Sequence, residues 1–431
     1  MSARLAVVVV AIGALACETP SPEPAPPAGA SLSAGLLVAT SVTAEADETP
    51  VAARLERLRL EAGTWIREPL DDPESLVFHH ARAWDPPGPL PLSIVTLGGT
   101  SATVKLWHPT AENALEPTLA WRADEGPRSR VRDAEVGHLY GDAPAPGGLV
   151  GEVLVAGTHP DGVVAVLSAR DDGTFAVTEL DRRPSTIVHE IELGDLDGDG
   201  VLEVYATRSA PNALVPGIDQ PGSVVRYVPA LERGPEVVVD LGRRHAKEIL
   251  VDDVDGDGRD ELYVVVEART EGTADALTIA EPVEVRRFDH GGRPEGVLVA
   301  TFDDRMTRFL AAGDLEGDGR RELVAATSSA GLYRLDPPPT AGGAWAVRML
   351  DADTGGFEHA TLLTDLDGDG ADELYVADDA SGELRRYVQG PAGLSREVIR
   401  RVAPRSVITW SIAPCPGAAH RLIMPRSEWP A

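Results

Sequence analysis

Four copies of one nine-residue acidic loop constrain this 431-residue chain more than any other feature. They read D-L-D-G-D-G-V-L-E from Asp195, D-V-D-G-D-G-R-D-E from Asp253, D-L-E-G-D-G-R-R-E from Asp314 and D-L-D-G-D-G-A-D-E from Asp365. Carboxylates at loop positions 1, 3 and 5 converge when the backbone curls, and the glycines between them permit the curl. Calcium is a hard cation that takes six to eight oxygen ligands in a flexible shell. In the first copy Asp195, Asp197 and Asp199 supply three carboxylates, the Val201 carbonyl adds an oxygen, and Glu203 closes the shell. The same roles fall on Asp253, Asp255, Asp257, Arg259 (carbonyl) and Glu261, then on Asp314, Glu316, Asp318, Arg320 (carbonyl) and Glu322. The last set is Asp365, Asp367, Asp369, Ala371 (carbonyl) and Glu373. Carboxylates packed this closely repel strongly without a cation, so the expected cofactor is calcium, about four ions, one per loop.

The spacing is similar to the first half of an EF-hand loop, but the closing glutamate stands at position 9 and no helical pattern flanks it. Strand formers follow each loop instead: V-Y-A-T at Val204, L-Y-V-V-V at Leu262, L-V-A-A-T at Leu323 and L-Y-V-A at Leu374. A period of about 50–60 residues points to a propeller or solenoid. Each unit holds four strand-like runs, as a propeller blade does. From Ala360 they are A-T-L-L-T, E-L-Y-V-A, E-L-R-R-Y-V and R-E-V-I-R-R-V; the third recurs as V-V-R-Y-V at Val224, V-R-R-F at Val285 and L-Y-R-L at Leu332. Two earlier units keep the frame without the acidic loop, one from His80 and one ending its first strand near Asp142. A seventh is assembled from the chain ends, with third and fourth strands from L-E-R-L-R-L and G-T-W-I-R-E-P-L, and first and second strands from V-I-T-W-S at Val407 and H-R-L-I-M at His420. The expected fold is all-β, a seven-bladed β-propeller with four-stranded antiparallel blades, its ring closed by N- and C-terminal strands so that no sheet edge is left open.

The loops with their flanking strands resemble FG-GAP/VCBS repeats, the family that builds the α-subunit head of integrins and many bacterial surface proteins. The resemblance covers roughly residues 54–431, and it implies calcium in some blades only. The first two blades and the closing blade depart from the loop pattern, so no metal is expected there.

Residues 1–16 have the plan of an export signal, with Arg4 before an apolar run from Leu5 to Leu15. The run is too short for a membrane span. A-L-A-C ending at Cys17 resembles a bacterial lipobox. It implies a lipidated Cys17 and a bacterial outer-membrane or cell-surface lipoprotein; the same A-L-A also suits ordinary signal peptidase, which leaves a periplasmic or secreted protein as the alternative. Residues 17–50 read as the lipidated cysteine and a disordered Pro/Ala-rich tether, and 51–431 as the propeller. The membrane then enters only through the N-terminal lipid. Cys415 is the one other cysteine, so calcium takes the bracing role that disulfides have in many exported folds.

With 69 acidic against 39 basic residues the formal charge is −30, which excludes a nucleic-acid binder that needs a broad basic footprint. Against that background the connections opposite the calcium loops are basic. Arg183, Arg243, Arg244, Arg305 and Arg308 form a candidate ligand face, joined by His189 and His359, because the arginine fork matches carboxylate and phosphate. His79, His189 and His359 each stand six residues before a first loop aspartate or its equivalent. No nucleophile motif, nucleotide loop or zinc spacing is present. The expected function is a monomeric, non-enzymatic calcium propeller on the bacterial envelope, binding an anionic glycan or an envelope or extracellular protein in adhesion or recognition. The rivals are a polysaccharide lyase built on a calcium-stabilised propeller, and a scaffold lipoprotein of an envelope complex.

Overall fold

The computed structural model describes residues 34–415, apart from 45–48, 101, 111–113, 124–125, 127–128, 212–214, 274–275, 341 and 392. Cys17 and the export signal lie outside the described residues, as does the second-strand run expected from His420. Among the described residues no helix is long and apolar enough to cross a membrane.

The chain runs through four-stranded antiparallel meanders, numbered here I to VII. Sheet I comprises Val77–Trp84, Ser93–Gly99, Thr103–Pro109 and Leu115–Arg122; sheet II comprises Arg130–Gly137, Val153–His159, Val163–Ala169 and Phe175–Arg182. Sheet III takes Ile191–Gly194, Glu203–Ser209, Gly222–Val228 and Arg233–Asp240. Sheet IV takes Ala246–Asp252, Glu261–Val266, Val283–Phe288 and Val297–Phe302, with an extra hairpin, Arg269–Thr273 and Ala276–Glu281, between its second and third strands. Sheet V is Thr307–Gly313, Glu322–Thr327, Leu332–Asp336 and Ala346–Asp351; sheet VI is Thr361–Thr364, Glu373–Asp378, Glu383–Gly390 and Gly393–Arg401. Sheets I and II are continuous through one backbone pairing, Gly99 with Arg130.

Sheet VII joins the two ends of the described chain: Val407–Cys415 pairs with Gly35–Thr43, followed by Pro50–Glu61 and Thr64–Asp72. Its second strand therefore comes from within the stretch expected to be a tether. Leu36, Leu37, Val38 and Ala39 are fully buried there, and ordering this apolar run beside Val407–Cys415 removes it from water. The tether boundary at residue 50 is accordingly corrected: residues 35–43 belong to the fold.

Burial grades outward along each meander. Second strands such as Glu261–Val266 and Glu373–Asp378 are buried at every position, which explains their near-continuous apolar composition. Fourth strands such as Ala346–Asp351 face solvent. The first strands lie side by side in order, I on II, II on III and so on to VI on VII, with VII also against I. Apolar clusters fill the spaces between neighbouring sheets, as where Leu310, Leu323 and Leu335 of sheet V meet Tyr263, Val265 and Val285 of sheet IV.

Candidate metal loops and the face opposite them

Each acidic loop joins the first strand of its sheet to the second, in sheets III, IV, V and VI. The four copies are held by one hydrogen-bond scheme. The position-1 carboxylate accepts from the backbone N–H groups of positions 5 and 6: Asp257 N and Gly258 N lie 3.0 and 2.9 Å from Asp253, and Asp318 N and Gly319 N lie 3.1 and 2.7 Å from Asp314. The position-5 carboxylate accepts from position 7, at 2.9 Å for Val201 N to Asp199 and 3.0 Å for Ala371 N to Asp369. The position-9 glutamate reaches back to the N–H of position 2, at 3.2 Å for Val254 N to Glu261 and 2.8 Å for Leu366 N to Glu373. Glycines at positions 4 and 6 adopt left-handed φ throughout, 73° and 89° at Gly256 and Gly258, a conformation that costs other residues about 1–2 kcal/mol.

This scheme aims carboxylate oxygens at one point. Ligand atoms of Asp253, Asp255, Asp257 and Glu261 lie within 4.8 Å of one another, as do those of Asp195, Asp197 and Asp199, and of Asp365, Asp367 and Asp369. Calcium–oxygen bonds of about 2.3–2.6 Å let one ion touch oxygens spread that far apart. These three loops fit calcium. The third loop does not converge in this way. There Glu316 stands at position 3, one methylene longer than aspartate, and its carboxylate is paired at 2.8 Å with Arg334.

Every loop also carries an arginine from the third strand of its own sheet. Arg287 bridges Asp255 at 2.6 Å and Glu261 at 3.2 Å. Arg334 bridges Glu316 and Glu322, the latter at 3.0 Å. Arg226 spans Asp197 and Glu203, and Arg386 spans Asp367 and Glu373. The glutamates it meets are nearly inaccessible, Glu261 at 2% exposed. Burial pushes Glu261 up to about 8, with Asp255 adding repulsion and Arg287 opposing; burial likewise lifts Glu322 to about 7 and Glu373 above its ordinary value. A buried carboxylate in that condition demands positive charge, which the arginine supplies in part and calcium would complete. These arginines are residues that sequence reasoning missed, although all four sit inside the third-strand runs that define the repeat.

Neighbouring loops are tied as well. Asp260, at position 8 of the second loop, accepts from the Asp195 backbone N–H at 2.7 Å, and Asp372 of the fourth does the same for Asp314 at 2.7 Å. The second loop is thus tied to the first, and the fourth to the third.

The basic residues on the opposite face divide into two sets. Most are paired inside the chain: Arg183 with Asp181 at 3.5 Å, Arg243 with Glu281 at 2.7 Å, Arg244 with Glu284 at 3.3 Å and with three backbone carbonyls, and Arg308 with Glu358 at 2.6 Å. His359 is fully buried, its Nδ1 at 2.6 Å from the Thr327 carbonyl and its Nε2 at 2.9 Å from Thr354 Oγ1, so it does not reach the surface. Arg305 is different. It is half-buried, its guanidinium pairs with no described residue, and it lines two clefts. One is a broad depression of about 660 Å³ beside Phe357, Ser328 and Arg405, also lined by Asp353, by Asp378, which pairs with Arg385, and by Asp379, which accepts from the Thr409 N–H. The other is a narrow pocket of about 40 Å³ beside Arg243, Arg244 and Ile218. His189 and Arg308 instead line a third cavity, between the first strands.

Comparison with known proteins supports the architecture. The Dos1 propeller matches with a TM-score of 0.50 at 9% identity, covering 86% of this chain and 86% of that one. The chain has a β-propeller fold. A Bacteroides fragilis protein assigned as a 6-phosphogluconolactonase matches at a TM-score of 0.47 and 12% identity, over 88% of this chain and 98% of its own. The exotype rhamnogalacturonan lyase YesX matches at 0.30 and 17%, over 57% and 58%. No protein-family model and no curated protein matches the sequence.

Proposed function

We propose that the chain is a non-enzymatic, calcium-stabilised propeller of seven blades, closed through sheet VII, of the FG-GAP/VCBS kind. The observation that supports this best is the second loop, where four carboxylates converge around a point that a single ion can occupy. Calcium is structural in this reading. It neutralises carboxylates that the fold forces together and fixes the turn between first and second strands in sheets III to VI.

The chain is exported and tethered by lipid on Cys17 at the bacterial outer membrane or cell surface. Its working surface is the face opposite the loops, where it binds an anionic glycan or an acidic envelope protein. Arg305 supports this choice of ligand, being an uncommitted guanidinium at the rim of a cleft whose volume falls in the range of ordinary ligand sites. The test is binding of a uronic-acid polysaccharide to the calcium-loaded protein and to Arg305→Glu. The reading expects saturable binding that the substitution weakens at least tenfold. Equal binding by both proteins would remove Arg305 from the surface, and release of unsaturated sugar from the polymer would replace recognition by lyase chemistry.

A further inference from the structure

In five of the seven sheets the first strand breaks its pairing at the same place. An extra residue bulges between paired neighbours at His79, Arg132, Lys247, Arg308 and Trp410; in sheets III and VI the strand pairing starts only at Ile191 and Thr361, and His189 and His359 stand at the same spacing before their loops. Bulges re-aim side chains. Here they give one position per sheet at one level of the propeller axis, and six of the seven are basic or imidazole side chains in a chain of net charge −30. The level lies six residues before loop position 1, about 20 Å along a strand from the calcium loops.

In sheets I to V and VII these side chains line a common cavity of about 60 Å³. In sheet VI His359 is turned away and Glu358 takes its place, satisfying Arg308. The other two cations make no ion pair with a described residue, although Glu267 and Glu358 lie close enough to Lys247, and Glu358 and Glu190 close enough to Arg132, to act on them electrostatically. Lys247 is 7% exposed and makes no hydrogen bond or ion pair with any described residue. Arg132 has no carboxylate partner among the described residues; it lies over the Trp410 ring at 5.6 Å and touches His189 Nδ1 at 3.3 Å, with its Nε unbonded. Both ring nitrogens of His79 and the hydroxyl of Ser411 are also buried without hydrogen-bond partners.

Five acids face this group: Asp133, Glu190 and Glu248, one residue further along their strands, Glu358, which pairs with Arg308, and Glu267 beside Lys247. Asp133 accepts from His80 at 2.7 Å and from the Ile191 N–H at 2.8 Å, and Glu248 accepts from the Leu310 N–H at 2.8 Å. Burial together with repulsion from Asp133 and Glu248 holds Glu190 well above the usual carboxylate range, and burial raises Glu248 likewise. Burial and the joint field of Arg132, Lys247 and Arg308 hold His189 well below its ordinary value, which places all three cations close to one imidazole.

The cavity exceeds the about 10–15 Å³ that a single water needs and has room for a compact oxyanion. We propose that the chain binds a free oxyanion, sulfate or phosphate, in the axial cavity, held by Lys247 and Arg132 with Arg308 alongside and hydrogen-bonded by His79 and Ser411. The ion fills the gap between cations that make no direct ion pair and bridges sheets I, II, IV, V and VII. The cavity lies between the first strands and shares no lining residue with the clefts at Arg305, so the site is separate from the glycan face and does not depend on calcium in the loops.

The test is titration of the calcium-loaded full chain with sodium sulfate against sodium chloride of equal ionic strength, followed by crystals grown in selenate to locate the ion. One saturable site is expected, with selenium signal between Lys247 and Arg132. Lys247→Met and Arg132→Gln should each weaken sulfate at least tenfold with the bound calcium unchanged, while Arg293→Gln, in an exposed turn between the third and fourth strands of sheet IV, binds like the parent. Absence of saturable uptake overturns the proposal, as does a selenate site elsewhere. Undiminished affinity in folded Lys247→Met and Arg132→Gln overturns it too, and none of these results touches the calcium reading.

Discussion

Replacing Arg287 by methionine should make the protein lean harder on calcium. The side chain keeps its stem against the sheet but loses the guanidinium that meets Asp255 at 2.6 Å and Glu261 at 3.2 Å. At an effective dielectric constant near 20, a unit pair about 3 Å apart interacts by about 5 kcal/mol. Removing one partner of such a pair, after relaxation, costs about 3–5 kcal/mol when the survivor is buried and ionised, the condition of Glu261 above about pH 8, so the comparison is made at pH 8.5. Calcium in the loop would supply the missing positive charge, so the loss there should fall to about 1 kcal/mol or less. Urea unfolding in millimolar calcium and in excess chelator measures both numbers. The expected result is a calcium increment about 2–4 kcal/mol larger in Arg287→Met than in the parent. The pH response has a definite sign. Glu261 stands at about 8 in the fold against 4.5 ordinarily, so the folded state holds a proton that the unfolded state has released, and chelated stability falls as pH rises between those values. Without Arg287 the folded value rises further, and the loss must be greater at pH 8.5 than at pH 6. Equal losses with and without calcium would refute the reasoning, because the arginine and the ion would then not share these carboxylates.

Two further perturbations probe the frame. Deleting residues 34–44 removes the second strand of sheet VII, whose Leu36, Leu37 and Val38 are fully buried; at about 1.5–3 kcal/mol each the loss rivals the stability of a typical domain, and cooperative unfolding should disappear from circular dichroism melts. Asp379 bonds the Thr409 N–H at 2.8 Å, yet burial lifts it to about 7 from 3.8, so chelated stability should fall by up to about 4 kcal/mol between pH 4 and 7, and Asp379→Asn should flatten that part of the profile; an unchanged profile would show the carboxylate ionised throughout.

The loops were legible from sequence because the chemistry is local: nine consecutive residues contain the ligands, the turn glycines and the closing glutamate. Third and fourth strands at Leu55–Leu60 and Gly63–Leu70, and the first strand at Val407, were legible by their likeness to other copies of the repeat. The strand at Gly35–Thr43 was not, because Leu36 to Val38 follow a Pro/Ala-rich stretch and have no acidic loop beside them to mark a repeat. The loop arginines were visible as letters but not as partners. Arg226 lies 23 residues beyond Glu203 and Arg334 only 12 beyond Glu322, so no fixed spacing announces a contact that exists only once second and third strands pair. The histidine spacing noticed at His79, His189 and His359 was part of a wider pattern. Its other members, Arg132, Lys247, Arg308 and Trp410, share a register but no residue type, and only the bulges reveal it.

The account turns on whether the four loops hold calcium that stabilises the propeller. The most direct measurement is elemental analysis of the dialysed full chain paired with thermal melts in millimolar calcium and in excess chelator. The account predicts about four ions per chain, the loop at Asp314 filling last because Glu316 is drawn to Arg334, and a large rise in melting temperature with calcium. No bound calcium and identical melts would contradict it, and would mean that the arginines alone neutralise the loops.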